Sequence, residues 1–274
     1  PVARTMRILA RRARRQAAAG LTVRMGIPGY VRFRVGRARV PALADAEQPL
    51  REALRDGTLY EYAGRHPDRR RMKGRGDVFA APLPGQDESV VVRHAFRGGA
   101  PARVTRDLFF PPTRGLRELL VSQRLRAAGV NTPEVVAYVT YPAGAILRRF
   151  DIATREIPNG ADLFAWLAAT DDVGARDVVL NAAAGAVASL VAAGAHHPDL
   201  NIRNVLVAPG PDGGLVGWIL DVDRVRFHVS GSPTVRDANV TRLRRSLRKS
   251  MRLGLSISHE EIVAILDRVQ ELSE

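Results

Sequence analysis

The 274-residue sequence contains no cysteine, very little lysine and few aromatic residues. Without cysteine, a disulfide framework and cysteine-based zinc or thiol chemistry are excluded, and a reducing compartment fits. We find no run of about 18 or more uncharged apolar residues, so we expect no segment that spans a bilayer. Arginines at positions 11, 12, 14 and 15 interrupt the place where the apolar core of a signal peptide would lie. These absences predict a cytoplasmic protein.

The charge balance is strongly positive, because 42 Lys+Arg face 28 Asp+Glu and give a formal net charge of +14. Lys73 and Lys249 are the only lysines, so the excess is arginine. Biased genomic base composition would explain that preference without a functional cause. The sign of the charge still predicts an anionic partner: nucleic acid, phospholipid or phosphorylated glycolipid. The 5% aromatic content argues against nucleic acid bound by base stacking.

The first 40 residues hold eleven arginines and no acidic residue. Because Ile8, Leu9 and several alanines lie between these arginines, the pattern is typical of a basic amphipathic helix on an anionic membrane surface. A second interpretation is that Met25 is the true start and that residues 1–24 are a mis-assigned extension. In both cases we treat residues 1–59 as a basic N-terminal extension.

From Tyr60 onward, a strand-rich half precedes a helix-rich half. β-Branched runs bounded by Gly and Pro predict strands, and apolar residues at helical spacing between capping residues predict helices. The predicted strands are 77–82, 89–96, 135–140 and 144–150, and the predicted helices are 113–128, 161–169, 175–193, 237–253 and 260–272. The 46% apolar content is sufficient for a core. We therefore predict an α+β fold.

One stretch between the predicted helices carries chemistry. His197, Asp199 and Asn204 form the pattern H-x-D-L-x-x-x-N before a short apolar strand, and Asp221 ends the next apolar strand. Phosphoryl transfer needs such a set: one carboxylate orients the attacking hydroxyl and accepts its proton, while an amide and a second carboxylate hold magnesium against the triphosphate. A loop Asp beside a loop Asn is by itself a common surface turn. The flanking order of helix, loop, strand, turn and strand favours a kinase-like site.

Upstream residues stand in the order of a nucleotide clamp. Gly74 and Gly76 form a G-x-G turn, a weak signal that ordinary turns also show. Arg93 ends a β-branched run where kinases have the cation that contacts the α- and β-phosphates. Glu118, on the following helix, has the position of the acid that orients this cation. Each residue alone is also explained as a solvated charge, so the prediction depends on their order.

The sequence resembles the bacterial lipopolysaccharide kinase family, and within it the 3-deoxy-D-manno-octulosonic acid (Kdo) kinases. The resemblance spans residues 74–252 and is carried by five ordered blocks: 93–99 (RHAFRGG), 157–163 (IPNGADL), 197–201 (HPDLN), 220–224 (LDVDR) and 239–249 (NVTRLRRSLRK). It implies a protein-kinase-like, two-lobed fold that uses ATP and Mg²⁺ to phosphorylate a Kdo hydroxyl of a lipid A precursor. The implied place of action is the cytoplasmic face of the inner membrane, and the implied partners are a glycolipid and an anionic membrane surface.

The resemblance also assigns roles to residues. Asp199 would be the catalytic base, Asn204 and Asp221 the magnesium ligands, and Arg93 with Glu118 the phosphate-orienting pair. We expect an N-lobe over 60–153 and a C-lobe over 159–274, joined by a segment whose backbone, at Glu156 and Ile157, would contact adenine. Asp223 replaces the glycine of the Asp-Phe-Gly motif, which argues against a protein kinase with a mobile activation segment.

Several alternatives remain open from the sequence. Another core sugar, such as heptose, or a small molecule would suit the same catalytic residues. Outside enzymes, the rivals are a nucleotide-binding pseudokinase and a basic nucleic-acid-binding protein; retention of Asp199, Asn204 and Asp221 argues against the first. A histidine metal site is not expected, because His196 and His197 have no partner histidine at ligand spacing.

Overall fold

The structure is a computed structural model that describes residues 26–72, 77–96, 107–111 and 113–273. The chain divides into two compact units. The first runs up to Leu119 and also includes Val135–Glu156, and the second consists of Leu120–Glu134 and Ile157–Glu274.

The first unit is built on a seven-stranded antiparallel sheet in the order β1-β2-β6-β7-β5-β4-β3. Its strands are β1 Tyr30–Val35, β2 Ala38–Leu43, β3 Arg70–Met72, β4 Val78–Pro82, β5 Ser89–His94, β6 Val135–Ala143 and β7 Leu147–Arg155. Helices α1 (Glu47–Ala53) and α2 (Leu59–Arg65) belong to the same unit, which also holds the beginning of α3 (Arg114–Ala127). Helix α2 begins with a capping box, in which the side chains of Thr58 and Glu61 bond each other's backbone N–H.

The sheet begins well before residue 60. Strands β1 and β2 form a hairpin whose two-residue turn starts at Gly36, where φ is +55°. β2 then pairs with β6. Its side chains alternate between the two faces of the sheet, and Ala38, Val40 and Ala42 are completely or almost completely buried. Residues 30–40 are therefore not the amphipathic helix that their arginines suggested, and the second half of the expected extension 1–59 is part of the first unit.

The second unit combines helices with two small sheets. Its strands are β8 Ala161–Asp162, β9 Ala195–His196, β10 Val205–Pro209, β11 Leu215–Ile219 and β12 Arg226–Phe227. Its helices are the end of α3, α4 Leu163–Ala169, α5 Val173–Ala192, α6 Pro233–Arg252 and α7 His259–Glu271. The sheets have the orders β11-β10-β8 and β12-β9, and all their pairings are antiparallel.

Helix α5 is the centre of the second unit. By length and composition it is the one helix among the described residues apolar enough to cross a membrane, although it is not an uncharged run, because it contains Arg176 and Asp177. Its apolar residues have partners within the unit, since Val179, Leu180, Val187 and Leu190 are at most 4% exposed in the core cluster. The apolar character of α5 is thus explained by packing of the core.

A buried arginine fixes α5 to its neighbours. Arg176, 5% exposed, donates to the backbone carbonyls of Leu167 (2.8 Å), Thr170 (2.9 Å) and Ser256 (2.6 Å) and forms an ion pair with Glu261. Burial by itself would raise the pKa of the Glu261 carboxyl, but the bonds from Arg176 and from the Ser258 N–H outweigh it and lower that pKa. A buried charge with this many partners joins α4, α5 and α7.

The predicted elements are confirmed, with ends shifted by a few residues. The four strands predicted from 77 to 150 correspond to β4, β5, β6 and β7, and the five predicted helices correspond to α3 through α7. The sequence did not predict β1, β2 or the short helices α1 and α2.

Gly217 on β11 tests the packing of the second unit. A Cβ atom at this position would lie 2.2 Å from the Ala182 carbonyl oxygen of α5, so Gly217→Ala forces the strand and the helix apart. We expect a loss of about 1–3 kcal/mol in the free energy of unfolding, measured by denaturant titration. Gly214→Ala is the matched control, because a Cβ there would meet nothing within 4 Å. Equal stability of the two variants would contradict this packing.

Candidate active site

The H-x-D-L-x-x-x-N sequence forms a loop between β9 and β10 that bonds mainly to itself. The N–H of Leu200 donates to the His197 carbonyl (3.1 Å), and the N–H of Asn204 donates to the Asn201 carbonyl (2.9 Å). The side-chain amides of Asn201 and Asn204 both donate to the carbonyl oxygen of Asp199, at 2.8 and 3.0 Å. Asparagine is suited to such a loop because its side chain substitutes for backbone partners.

A buried pair anchors the loop from behind. Asn239 of α6, fully buried, accepts from the His197 N–H (3.0 Å) and donates to the Ala195 carbonyl (2.9 Å). The His197 ring is also buried, and its Nε2 lies 3.0 Å from the Leu220 carbonyl, which requires that Nε2 carries the proton. Burial lowers the pKa of His197, so the ring is neutral and acts as a structural spacer between the loop and Leu220.

These contacts bring the three candidate catalytic residues together. Leu220, directly before Asp221, accepts from His197 and donates its N–H to the Asn204 carbonyl (2.8 Å). Asp199 and Asn204 are thus joined by a hydrogen bond, and Asp221 is held beside them through its neighbour Leu220. Asp221 itself adopts the left-handed conformation (φ 57°, ψ 47°), which is uncommon for a residue other than glycine. Such a backbone at the end of a strand is typical of functional sites.

The carboxylate of Asp199 has a cationic partner. Arg224, in the short 3₁₀ turn after Asp221, places its guanidinium Nη1 2.6 Å from Asp199 Oδ2. Both side chains are more than a third exposed, so the ion pair stabilises the fold little. The ion pair instead orients the Asp199 carboxylate, because it holds this group at the surface of the loop.

The donor atoms of the loop suit a magnesium ion. Asn204 uses its Nδ2 on the Asp199 carbonyl, and its Oδ1 has no hydrogen bond among the described residues. Asp221 is exposed and supplies carboxylate oxygens. Within the described ranges, no group of three or more His, Cys, Asp and Glu side chains is close enough to hold a metal. An oxygen pair of amide and carboxylate is the partial set that Mg²⁺ takes when phosphates and water complete its shell.

In the first unit, Arg93 and Glu118, the predicted cation and acid, are in direct contact. The guanidinium of Arg93 on β5 forms an ion pair with Glu118 on α3. The Glu118 side chain is 9% exposed and that of Arg93 is 35% exposed, so Glu118 is the inner, fixed partner. Because Glu118 is largely removed from water, the loss of Arg93 would leave a nearly buried carboxylate without this partner.

The neighbouring residue, His94, belongs to a network that sequence reasoning missed. Its Nδ1 lies 2.6 Å from the fully buried Asp151 and its Nε2 lies 3.2 Å from Asp107. Burial lowers the pKa of His94, but hydrogen bonds and charges of Asp151 and Asp107 outweigh it and raise the pKa. Asp151 also accepts from the Tyr60 N–H at the start of α2 (3.0 Å) and from the Tyr141 hydroxyl (2.9 Å). The only signal in the sequence was a histidine next to Arg93 on a strand.

The other predicted nucleotide-contacting residues are described only in part, and some of their backbone groups already bond within the protein. Gly74, Gly76 and part of block 93–99 lie outside the described residues. Glu156 donates its N–H to the Ser89 carbonyl (3.0 Å), and its side chain forms an ion pair with Arg70. The Ile157 carbonyl accepts from the Gly160 N–H (3.3 Å). These two backbone groups are therefore committed within the protein, and the Glu156 carbonyl and the Ile157 N–H are the groups to consider for adenine.

The fold is that of the protein kinases. A solved structure described as "WaaP in complex with acyl carrier protein" matches with a TM-score of 0.52 at 16% identity, covering 82% of this chain and 87% of that one. The model of the Lipopolysaccharide kinase (Kdo/WaaP) family matches residues 72–266. The chain therefore belongs to this family of sugar phosphotransferases, which confirms the resemblance, the fold class and the kinase reaction class predicted from the sequence.

Two relatives illustrate the match. The 3-deoxy-D-manno-octulosonic acid kinase of Xanthomonas euvesicatoria pv. vesicatoria is 30% identical over 257 residues, or 88% of this chain and 93% of the relative. The enzyme of the same name from Vibrio cholerae serotype O1 is 28% identical over 197 residues, or 70% of this chain and 79% of the relative. The similarity thus extends over nearly the whole length of the first relative.

Asn239 provides a test of how the loop is held. Asn239→Ala leaves the His197 N–H and the Ala195 carbonyl buried without partners, so we expect a loss of about 1–3 kcal/mol in stability. Amide hydrogen exchange should accelerate at His197 before the rest of the second unit opens. The control is Asn181→Ala, because the Asn181 amide bonds only to the exposed Asp177. Unchanged exchange at His197 in the Asn239 variant would show that the loop is held by other contacts.

Proposed function

We propose that this protein transfers the γ-phosphate of ATP to a hydroxyl of a Kdo residue on a lipid A precursor. The observation that carries the proposal is the set of hydrogen bonds that join Asp199 to Asn204 and hold Asp221 next to them through its neighbour Leu220, in a member of the lipopolysaccharide kinase family. Kdo as the acceptor is supported by the relatives of that name, one of which aligns over 93% of its own length.

In this proposal Asp199 is the catalytic base. Its carboxylate orients the acceptor hydroxyl and takes its proton as the oxygen attacks the γ-phosphorus. Arg224, 2.6 Å from that carboxylate, restricts its rotation and leaves the second oxygen, Oδ1, for the hydroxyl. Arg224 also supplies positive charge beside the reacting group, where phosphoryl transfer develops negative charge.

Asn204 Oδ1 and the Asp221 carboxylate would hold Mg²⁺. The ion neutralises charge on the β- and γ-phosphates when it is bound. The left-handed backbone of Asp221 fixes where its carboxylate leaves the strand end, and the loop bond from Asn204 Nδ2 to Asp199 fixes the direction of Oδ1. The base and the magnesium ligands are thereby oriented by the same hydrogen bonds.

The first unit would bind the nucleotide and serve as the N-lobe, and the second unit would serve as the C-lobe. Arg93, oriented by Glu118, would contact the α- and β-phosphates, and the backbone N–H groups around Gly74 and Gly76 would cover them. The Glu156 carbonyl and the Ile157 N–H would bond the adenine edge. Arginine in place of the usual lysine supplies two parallel donors for phosphate oxygens.

The base and the metal ligand are distinguished by Asp199→Asn and Asp221→Asn. We expect Asp199→Asn to bind ATP nearly as well as the wild type but to lose on the order of hundredfold or more in kcat. Asp221→Asn should lose turnover and also affinity for ATP in the presence of magnesium. ATP binding by calorimetry and phosphate transfer by labelled ATP separate the two effects. Near-normal transfer by Asp199→Asn would reject this base.

The phosphate-contacting cation is tested at Arg93. Arg93→Ala should raise the KM for ATP strongly and also release the inner Glu118 from its partner, while Arg93→Lys should restore part of the activity because it keeps the charge. The acceptor KM should change little in either variant. If Arg93→Ala has wild-type kinetics, the cation comes from another residue, and Lys73 is then the first to test.

We further propose that the protein acts at the cytoplasmic face of the inner membrane, which it contacts through its basic N-terminal region. Residues 1–25 lie outside the described residues, but four arginines of the same region are exposed on the β1–β2 hairpin: Arg32, Arg34, Arg37 and Arg39. Each basic side chain near an anionic surface contributes about 1 kcal/mol. The acceptor, a glycolipid, would be anchored in that membrane.

Vesicle co-sedimentation tests this contact. We expect the full chain to bind anionic vesicles in low salt and not to bind neutral vesicles. It should be released from anionic vesicles at molar salt, where the Debye length falls to about 3 Å. A chain beginning at Met25 loses seven of the eleven arginines in residues 1–40 and should bind more weakly. Binding that is independent of lipid charge or of salt would contradict the proposal.

A further inference from the structure

The β9–β12 ladder of the second unit has two dissimilar faces. Arg226 pairs with His196, and Phe227 pairs with Ala195. Ala195 is fully buried and Phe227 packs against the core, with the guanidinium of Arg124 3.8 Å from its ring centroid. Because successive side chains of a strand alternate and paired residues share a face, His196 and Arg226 lie together on the opposite face.

Two further basic residues join this face. His228 follows Arg226 by two positions, and its ring centroid lies 6.3 Å from that of His196. Arg242 follows Asn239 by about one turn of α6. The Asn239 side chain bonds the backbone on both sides of His196, which holds this part of α6 against the ladder. Arg242, one turn further along α6, therefore lies close to the ladder. We call His196, Arg226, His228 and Arg242 the basic cluster.

The basic cluster lacks a protein counterion in the part of the chain that the structure describes. None of its four side chains forms an ion pair with a described residue, whereas Arg70, Arg71, Arg93 and Arg155 of the first unit each do so. Burial, followed by the charges of His228, Arg226 and Arg242, lowers the pKa of His196. Arg226, His228 and Arg242 are exposed, so the positive potential is open to a ligand.

The cluster also lies next to the candidate base. His196 precedes Asp199 by only three residues, so the two are separated by at most about 10 Å of chain. A molecule held at the cluster is therefore close enough for its other parts to reach the catalytic loop. The proposed acceptor is anionic, because Kdo is a sugar acid and a lipid A precursor carries phosphates.

We propose that His196, Arg226, His228 and Arg242 form a binding site for an oxyanion, carboxylate or phosphate, of the acceptor glycolipid. This inference rests on the proposed function and adds a specificity-determining site to it. The two arginines supply fork-shaped donors and permanent charge, while the histidines gain protons when the anion binds. The site would hold the acceptor by its charge while Asp199 acts on its hydroxyl.

Acceptor kinetics test the site with two charge-matched double variants. In R226Q/R242Q we expect the KM for a detergent-dispersed, Kdo-bearing lipid A precursor to rise at least tenfold, with the KM for ATP unchanged. The control, R244Q/R248Q, removes the same charge from exposed positions of α6 that lie on another side of the helix from Arg242. The proposal is overturned if the acceptor KM is unchanged, or if the control raises it equally.

The source of the oxyanion is distinguished by a second acceptor. With a precursor whose lipid A phosphates have been removed, the defect of R226Q/R242Q disappears if the site binds a phosphate. It persists if the site binds the Kdo carboxylate. Each result supports the site and identifies its ligand.

A binding measurement that needs no transfer separates this inference from the proposed function. Inorganic sulfate, titrated into the full chain in low salt, should shift the ring NMR signals of His196 and His228 and leave that of His259 in place. It should also raise the pKa of His196, because an anion favours the charged imidazolium. Sulfate binding without transfer to Kdo would contradict the proposed function and leave the anion site standing. No shift at His196 and His228 would reject the site.

Discussion

The geometry of the second unit depends on one buried side-chain amide. Asn239 bonds the backbone on both sides of His196, and the buried, neutral His197 then spaces the loop from Leu220. Because Leu220 and Asn204 are bonded in turn, a change at Asn239 reaches Asp199, Asn204 and Asp221 together. Replacing it leaves two buried backbone groups unpaired, which is more costly than the loss of a surface contact. Helix α6 is therefore part of the scaffold of the candidate site, although it carries none of the proposed catalytic groups.

In the first unit, buried side chains likewise hold the charged residues in position. Adjacent residues of β5 point to opposite faces of the sheet: Arg93 meets Glu118 on α3, and His94 meets the buried Asp151, which also bonds the first turn of α2. The Asp151 carboxylate has three partners, the His94 ring, the Tyr60 N–H and the Tyr141 hydroxyl, and a buried carboxylate requires such partners. Arg93, the cation proposed to contact ATP, thus lies on a strand, β5, whose position is fixed by contacts that lead to α2 and α3.

Features encoded locally were predictable from the sequence, and those formed by distant residues were not. The helices and strands of residues 77–272 follow from periodicity and caps. The candidate base Asp199 and ligand Asn204 follow from their spacing on one loop, and the ligand Asp221 follows from its place at the end of the next apolar strand. The hairpin β1–β2 was missed because its arginines mask a period of two, in which Ala38, Val40 and Ala42 of β2 are buried in the core of the first unit. The roles of Asn239 and Asp151 depend on partners 42 to 91 positions away, which spacing does not reveal.

The central claim, transfer of phosphate from ATP to Kdo, is tested most directly by incubating the full chain with labelled ATP, magnesium and separate acceptors. The acceptors are a Kdo-bearing lipid A precursor, the same precursor without Kdo, a heptose-bearing core, free sugars and a generic protein. The account predicts labelling of the Kdo-bearing precursor alone, lost in the Asp199→Asn variant. Labelling of the heptose-bearing core, or of the precursor without Kdo, at an equal rate would contradict it.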